Sequence, residues 1–197
     1  MAEVIWMQRL GSHVLLTSSL YRYYVKDLVD VVNDSASITV NFRNLETVRA
    51  QGMEVTLDVR PAHRLQGHLG YSIGRAVDDD TGSRLTNSPD HLLKLGLAAE
   101  VTPRISAATE LRYESGRRTV TGTLTEPFVI ANLNLGFHPF GRAGAPASFG
   151  RLTGLDLSLR VTNLFDTRYA YPGGTEHVEP AIEQDGRGVI VRLGYEF

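Results

Sequence analysis

The feature that most restricts this chain is a period-two alternation of apolar and polar residues, repeated in runs of about ten. Val189, Val191, Leu193, Tyr195 and Phe197 fall on one side of such a run, and Ile190, Arg192, Gly194 and Glu196 on the other. The same pattern carries Leu155 to Val161, Val129 to Phe137, Ile105 to Tyr113, Leu93 to Val101, Leu65 to Ile73 and Met53 to Val59. Successive side chains of a strand point to opposite faces, so this period specifies strands and argues against helices. Two N-terminal segments are less regular. Residues 13–32 are rich in Tyr and Val with mixed faces, and residues 2–10 read weakly as a strand. "SPDHLLKLGL" (88–97) begins like a capped helix, but Leu93, Leu95 and Leu97 keep period two and Gly96 disfavours a helix. About nine strands are expected.

The connectors alternate in length. Short ones fall near 11–13, 61–64 and 102–104, and longer polar ones near 33–47, 78–90, 115–126 and 167–186. The segment 141–150 breaks the rhythm, being long on the short side. Tight turns at one end and long loops at the other are the habit of a membrane β-barrel. Several strands have the ten or so residues that a tilted strand needs to cross the hydrocarbon. Tyr71, Tyr113, Phe137, Tyr195 and Phe197 lie on apolar faces towards strand ends, as an interfacial girdle requires. A soluble antiparallel sheet with one buried face shares the period, so period alone leaves a soluble β-sheet binding module open.

Composition narrows the function. The 197 residues contain no cysteine, which excludes disulfides and thiolate metal sites. The net charge of −2 gives no reason to expect nucleic-acid binding. There is no run of 18 apolar residues, hence no transmembrane helix, and "MAEVIWMQRLGSH" does not read as a secretory signal. The six histidines are scattered and no hydrolase or metalloprotease motif is present, so an enzyme is not expected and no catalytic residue or cofactor is assigned.

Four stretches carry a resemblance. "LRVTNLFDTRYA" (159–170) is similar to the penultimate-strand signature of TonB-dependent outer-membrane receptors, an alternating strand followed by Asn-Leu-Phe-Asp and a Tyr. "GRGVIVRLGYEF" (186–197) resembles the closing strand of that family. "NLETVRAQGMEVTLDVRP" (44–61) resembles its Asn…Gly-x-Glu strand entry, and "LTNSPDHLLKLGL" (85–97) its Asn-x-Pro-x-His opening. They follow the order of the family and span nearly the whole chain. The resemblance implies an all-β, antiparallel transmembrane β-barrel segment of about nine strands joined by hairpins, forming an open curved sheet or partial barrel. Residues 1–197 would be the C-terminal part of a receptor barrel, without plug domain, signal peptide or TonB box, and unable to transport alone. A small autonomous outer-membrane barrel is the other membrane possibility.

The resemblance further implies residence in the outer membrane of a Gram-negative-type bacterium. It implies uptake of a scarce nutrient chelate of the siderophore-iron or cobalamin class. Implied partners are outer-membrane lipid, the barrel assembly machinery and, only through the missing plug, TonB. Tyr195 and Phe197 would form the assembly signal, and Phe165 and Tyr169 would join Tyr71, Tyr113, Phe137 and Tyr195 at the membrane interface. Ligand contacts are expected in the outer loops. Arg117 and Arg118 could clamp an anionic chelate, though solubility or lipopolysaccharide phosphates would also explain them. Arg84 lies in the preceding loop with Asp78 and Asp80, whose "DDDTGS" resembles part of a calcium loop but lacks the twelfth-position ligand. A solvated loop tip is the plainer reading. His177, beside Glu176, Glu179 and Glu183, could contact ligand or metal, and a charged surface loop is again plainer. No metal site is assigned.

Overall fold

The computed structural model describes residues 1–33, 40–139 and 155–195. Among them there is no helix, and eleven strands occur. They are β1 (Ala2–Leu10), β2 (Val14–Asn33), β3 (Val40–Ala62), β4 (Leu65–Asp78), β5 (His91–Thr102), β6 (Ile105–Glu114), β7 (Phe128–Phe137), β8 (Leu155–Thr162), β9 (Ala170–Pro172), β10 (Ala181–Glu183) and β11 (Gly188–Tyr195). Nine form one antiparallel sheet in the order β1-β2-β3-β4-β5-β6-β7-β8-β11, and β9 and β10 make a separate small hairpin. The sheet is open: no pairing joins β1 to β11. The segment 88–97 enters β5, because its leucines need one common face and a helix would scatter them.

Two elements differ from the sequence reading. The connector expected at 33–47 is mostly strand, since β2 runs to Asn33 and β3 begins at Val40. Strands of 20 and 23 residues rise on the order of 65–75 Å, far more than a tilted crossing needs. They therefore continue past any membrane, where apolar alternation is no longer required. The second is the β9–β10 hairpin inside the last loop, too short to show a period. The segment 141–150 and Phe197 lie outside the described residues.

Register aligns the leucines into rows. One row runs Leu16–Leu57–Leu69–Leu95–Leu111–Ala131 across six strands. The next row towards the loops runs Trp6–Ser18–Val55–Tyr71–Leu93–Tyr113–Val129, bringing Trp and two Tyr to one level. Lower rows carry Leu133–Val161–Val189, Leu135–Leu159–Val191 and Phe137–Leu157–Leu193. Among the described residues no second layer of strands or helices covers this face. Val189, Val191 and Leu193 are 61%, 67% and 70% exposed. Among the described residues, the buried apolar side chains are only Val48, Ala50, Val77, Phe128, Ile130 and Ala131. A soluble sandwich would hide its leucine rows under a second layer. A belt this wide in the open is what a lipid-facing wall presents.

The other face is polar. Asp58, His68, Gly96, Glu110 and Asn132 follow one another across β3 to β7. His68 Nδ1 meets Asp58 Oδ1 at 2.8 Å. Tyr21 lies on this face over Gly52 and Gly74: a Cβ on either glycine would stand 2.5 or 2.9 Å from its hydroxyl. The bare backbone is the reason Gly52 belongs in its strand entry.

Candidate functional site

The three described long connectors, 79–90, 115–127 and 163–187, gather at one end of the sheet, and the short turns lie at the other. The connectors are tied by the same residues that stood out as motifs. Asn87 adopts φ 57°, a left-handed conformation that Asn tolerates. Its N–H donates to the Arg118 carbonyl at 2.9 Å, fixing the first loop to the second. His91 begins β5, where its N–H donates to Ser115 Oγ at 3.0 Å and its Nδ1 shares a 2.8 Å hydrogen bond with the Tyr71 hydroxyl.

The Asn-Leu-Phe-Asp stretch is a joint. Asn163 is 4% exposed and has φ 48°, and Asp166 has φ 55°. Asn163 donates its N–H to Asn132 Oδ1 at 3.0 Å, donates from Nδ2 to the Thr167 carbonyl at 2.9 Å, and accepts the Thr167 N–H at 2.9 Å. Asp166 Oδ1 accepts the Arg187 N–H at 2.7 Å, so the end of β8 is fastened to the chain entering β11. One buried amide thus satisfies the turn's polar groups where two left-handed residues reverse the strand.

Above this joint lies an aromatic and ionic cluster. Glu114, 1% exposed at the end of β6, accepts from Arg117 Nε at 2.5 Å. Arg117 Nη1 donates to Asn87 Oδ1 at 2.8 Å, and its guanidinium stands 4.5 Å over the ring of Tyr171. The Tyr171 hydroxyl accepts from Arg112 Nη2 at 2.7 Å, and Tyr169 packs 4.5 Å from Phe128. Three loops are therefore locked by Arg117. Burial raises the Tyr171 hydroxyl above its ordinary range, and the Arg112 charge pulls it back in part.

The expected ligand residues are distributed as follows. Arg84 and Arg118 are brought together: both line a cavity of ≈ 440 Å³ between the first and second loops, with Ser88, Asp90, Ser115 and Glu126. Arg84 is paired with Asp90. Arg118 donates from Nη1 to the Gly122 carbonyl at 3.1 Å, while its buried Nε faces no acceptor. Arg117 is spent on the loop lock. Asp78 lies seven residues beyond Tyr71, clear of the hydrocarbon; its Oδ1 accepts the N–H groups of Asp80 and Thr81 at 3.0 and 3.4 Å. These bonds favour the carboxylate and lower its titration range. Asp80 is exposed. His177 Nε2 lies 3.4 Å from Glu176 Oε1, apart from the cavity. No group of three or more acidic or imidazole side chains is arranged to hold a metal among the described residues.

Of the aromatics expected at the interface, Tyr71 and Tyr113 share the upper row, and Phe137 and Tyr195 lie at the short-turn end. Phe165 is exposed beyond β8. Tyr169 leaves the expected belt: it packs against Phe128, which alternates with Val129 and so faces the polar side, because the β9–β10 hairpin folds inward. Sequence reading missed Glu114, Arg112 and Asn132 as organising residues. Each sits on an ordinary polar strand face, and only the incoming loop gives it a role.

A description of one family, "TonB dependent receptor-like, beta-barrel", matches residues 6–164. The catecholate siderophore receptor Fiu of Escherichia coli K12 is 27% identical over 177 residues, an alignment covering 82% of this chain and 21% of Fiu. The closed crystal form of Fiu, the ferric-catecholate import receptor of E. coli K12, superposes with a TM-score of 0.73 at 23% identity, over 99% of this chain and 27% of that one. The ferric enterobactin receptor PfeA of Pseudomonas aeruginosa, in complex with enterobactin, gives a TM-score of 0.74 at 16% identity, over 99% and 31%. These structural likenesses bear on the fold alone. The chain spans about a fifth of the length of the curated relatives it matches.

Proposed function

The chain belongs to the TonB-dependent receptor β-barrel family, and from that membership we propose that it forms a wall and mouth segment of an outer-membrane receptor for a ferric siderophore, in the catecholate class. Receptors of this family are transporters, not enzymes. The observation that carries the membrane part of the reading is the exposure of Val189, Val191 and Leu193, with no layer of described residues over them.

The ligand class is supported by the relatives' names and by one local feature. Ferric catecholates are anions, and Arg84 and Arg118 line one cavity between the first and second loops. Two guanidiniums on one cavity suit an oxyanion better than a neutral ligand. Capture needs no bond to form or break. The loop lock keeps the cavity shaped before the ligand arrives, which lowers the ordering cost of binding. Onward passage would use a plug and TonB, and the chain's closing strand would serve the assembly machinery.

The test is binding of a ferric tris-catecholate probe to outer membranes carrying the protein. Saturable binding that falls about tenfold in Arg118→Gln supports the reading, a loss of the size expected for a charge-assisted contact. Absence of binding, or binding indifferent to Arg84 and Arg118, removes the ligand assignment and leaves the barrel assignment standing.

A further inference from the structure

The leucine-bearing face of β1 to β4 changes character at its long-loop end. Above the row of Trp6 and Tyr71, the register gives Val4–Leu20–Met53–Ile73–His91. The next row is Ala2–Arg22–Gln51–Arg75. Apolar side chains thus give way to guanidiniums within two residues, a rise of roughly 7 Å. A groove of ≈ 930 Å³ crosses this boundary. Leu20, Met53 and Ile73 are its apolar lining, and Arg22, Arg75 and His91 belong to its polar lining.

The groove is positive in balance. Arg22 and Arg75 are exposed, and neither is paired with a carboxylate among the described residues. The carboxylates nearby are engaged elsewhere. Arg49, one row higher on the same face, holds Asp79 at 3.1 Å. Arg84 and Asp90 also border the groove but are paired with each other. Glu3 borders it too, yet it stands in register with Tyr21, whose hydroxyl lies over Gly52 and Gly74 on the lumen face. Alternation therefore turns the Glu3 side chain away. The ring of Tyr24, 5.4 Å from the guanidinium carbon, steadies Arg22. His91 spends Nδ1 on the Tyr71 hydroxyl, which leaves Nε2 as the polar atom of the ring for the groove.

We infer that this groove seats a phosphate-bearing lipid of the leaflet at the long-loop end. The phosphate lies between Arg22 and Arg75 over the exposed Gln51 amide, and an acyl chain runs along Leu20, Met53 and Ile73. The inference rests on the membrane-wall reading above. Arg22 and Arg75 flank β3, so their backbones stand about 10 Å apart, and both side chains reach one phosphate from opposite sides. Their forked donors match its oxygens. A soluble anion would use the charges and leave the apolar half wet. A zwitterionic lipid would cover the apolar half and leave the cations unmatched. An amphiphile with an anionic head satisfies both halves.

Trp6, the one tryptophan of the chain, lies two positions from Val4 on the same face and reports lipid contact through quenching by brominated acyl chains. The full chain is reconstituted in phosphatidylcholine vesicles, with folding checked by heat-modifiable gel mobility. Brominated phosphatidic acid is then compared with brominated phosphatidylcholine. Phosphatidic acid should half-quench Trp6 at a mole fraction about tenfold lower, the advantage expected from two interfacial arginines, and added salt should shrink it. Arg22→Gln with Arg75→Gln should abolish the advantage, and Arg192→Gln, on the lumen face of β11, should leave it intact. Arg22→Glu with Arg75→Glu should move the preference to a brominated trimethylammonium lipid. Equal quenching by the two lipids, an advantage retained in the double Gln variant, or displacement by millimolar inorganic phosphate overturns the proposal. Quenching by neither lipid removes the membrane-wall reading itself, and the proposal with it.

Discussion

The guanidinium of Arg117 lies 4.5 Å above the ring of Tyr171 while its Nε donates to the Glu114 carboxylate at 2.5 Å. A single side chain from the second loop therefore holds the last loop by cation–π contact and the first by its bond to Asn87. The partner carboxylate is almost wholly buried. Its value to the mouth is more than that of a surface ion pair.

Replacing Arg117 by Met should leave a buried charge unmatched, at a cost of about 3–5 kcal/mol to the local structure. Hydrogen exchange should accelerate at Gly173 and Gln184, whose N–H groups close the last loop on Pro180 and Tyr169. Exchange in the row Leu69–Leu95–Leu111 should be unchanged. Adding Glu114→Gln to Arg117→Met should recover part of the protection, because the stranded charge is gone. Uniform exchange in the single variant would show that the loops are held elsewhere.

Asn163 combines a left-handed backbone with a fully used amide. Asn163→Ala should cost roughly 2–4 kcal/mol, from lost buried hydrogen bonds and a strained φ. Asn163→Gly should fall between Ala and the parent, since it restores only the backbone. The order of unfolding temperatures in detergent checks this. A Gly variant no better than Ala would mean that strain is not part of the penalty.

Adjacent residues on β4 offer an internal control. Leu69→Arg puts a cation on the apolar belt and should destabilise by about 2–4 kcal/mol near the bilayer midplane. His68→Arg faces the lumen, where Asp58 can pair with the new cation, and should change little. Refolding titrations into lipid vesicles compare the two. Equal effects would remove the distinction between faces.

Tyr171 supplies a pH dependence. Burial raises its hydroxyl from 10.0, so the neutral form is favoured in the folded loop. The stabilisation is then complete below that ordinary value and is lost as pH rises through the raised folded value. Protection of the last loop should be level across neutral pH and decline only in the alkaline range. In Tyr171→Phe the alkaline decline should shrink, because the ionising group is absent. An unchanged decline would place the titration on another group.

Much of this was legible in the sequence, for a physical reason. A lipid-facing wall has to write its period into every crossing, so Val189 to Tyr195 and Leu93 to Val101 could be assigned from alternation alone. The extension of β2 and β3 past the membrane was hidden, because backbone pairing continues there without any demand on side-chain polarity. The β9–β10 hairpin has three residues per strand, too few for a pattern. Asn163 was visible as part of a motif, but its reason needed the contact with Asn132, 31 positions away. Glu114 read as one more polar residue ending a strand, and only the folded loop reveals that it is buried. The arginines of the mouth looked equivalent in sequence. The fold separates them into a lock, Arg117, and two cavity residues, Arg84 and Arg118.

The membrane assignment is tested most directly by a cysteine scan of β11, made clean by the absence of native cysteine. Single cysteines from Val189 to Leu193, each carrying an environment-sensitive fluorophore, would be measured in lipid bilayers with a lipid-borne nitroxide and then with a water-soluble quencher. Positions 189, 191 and 193 should respond to the nitroxide, and 190 and 192 to the aqueous quencher. Aqueous quenching at 189, 191 and 193, with no response to the lipid nitroxide, would contradict the account of this sheet as a transmembrane wall.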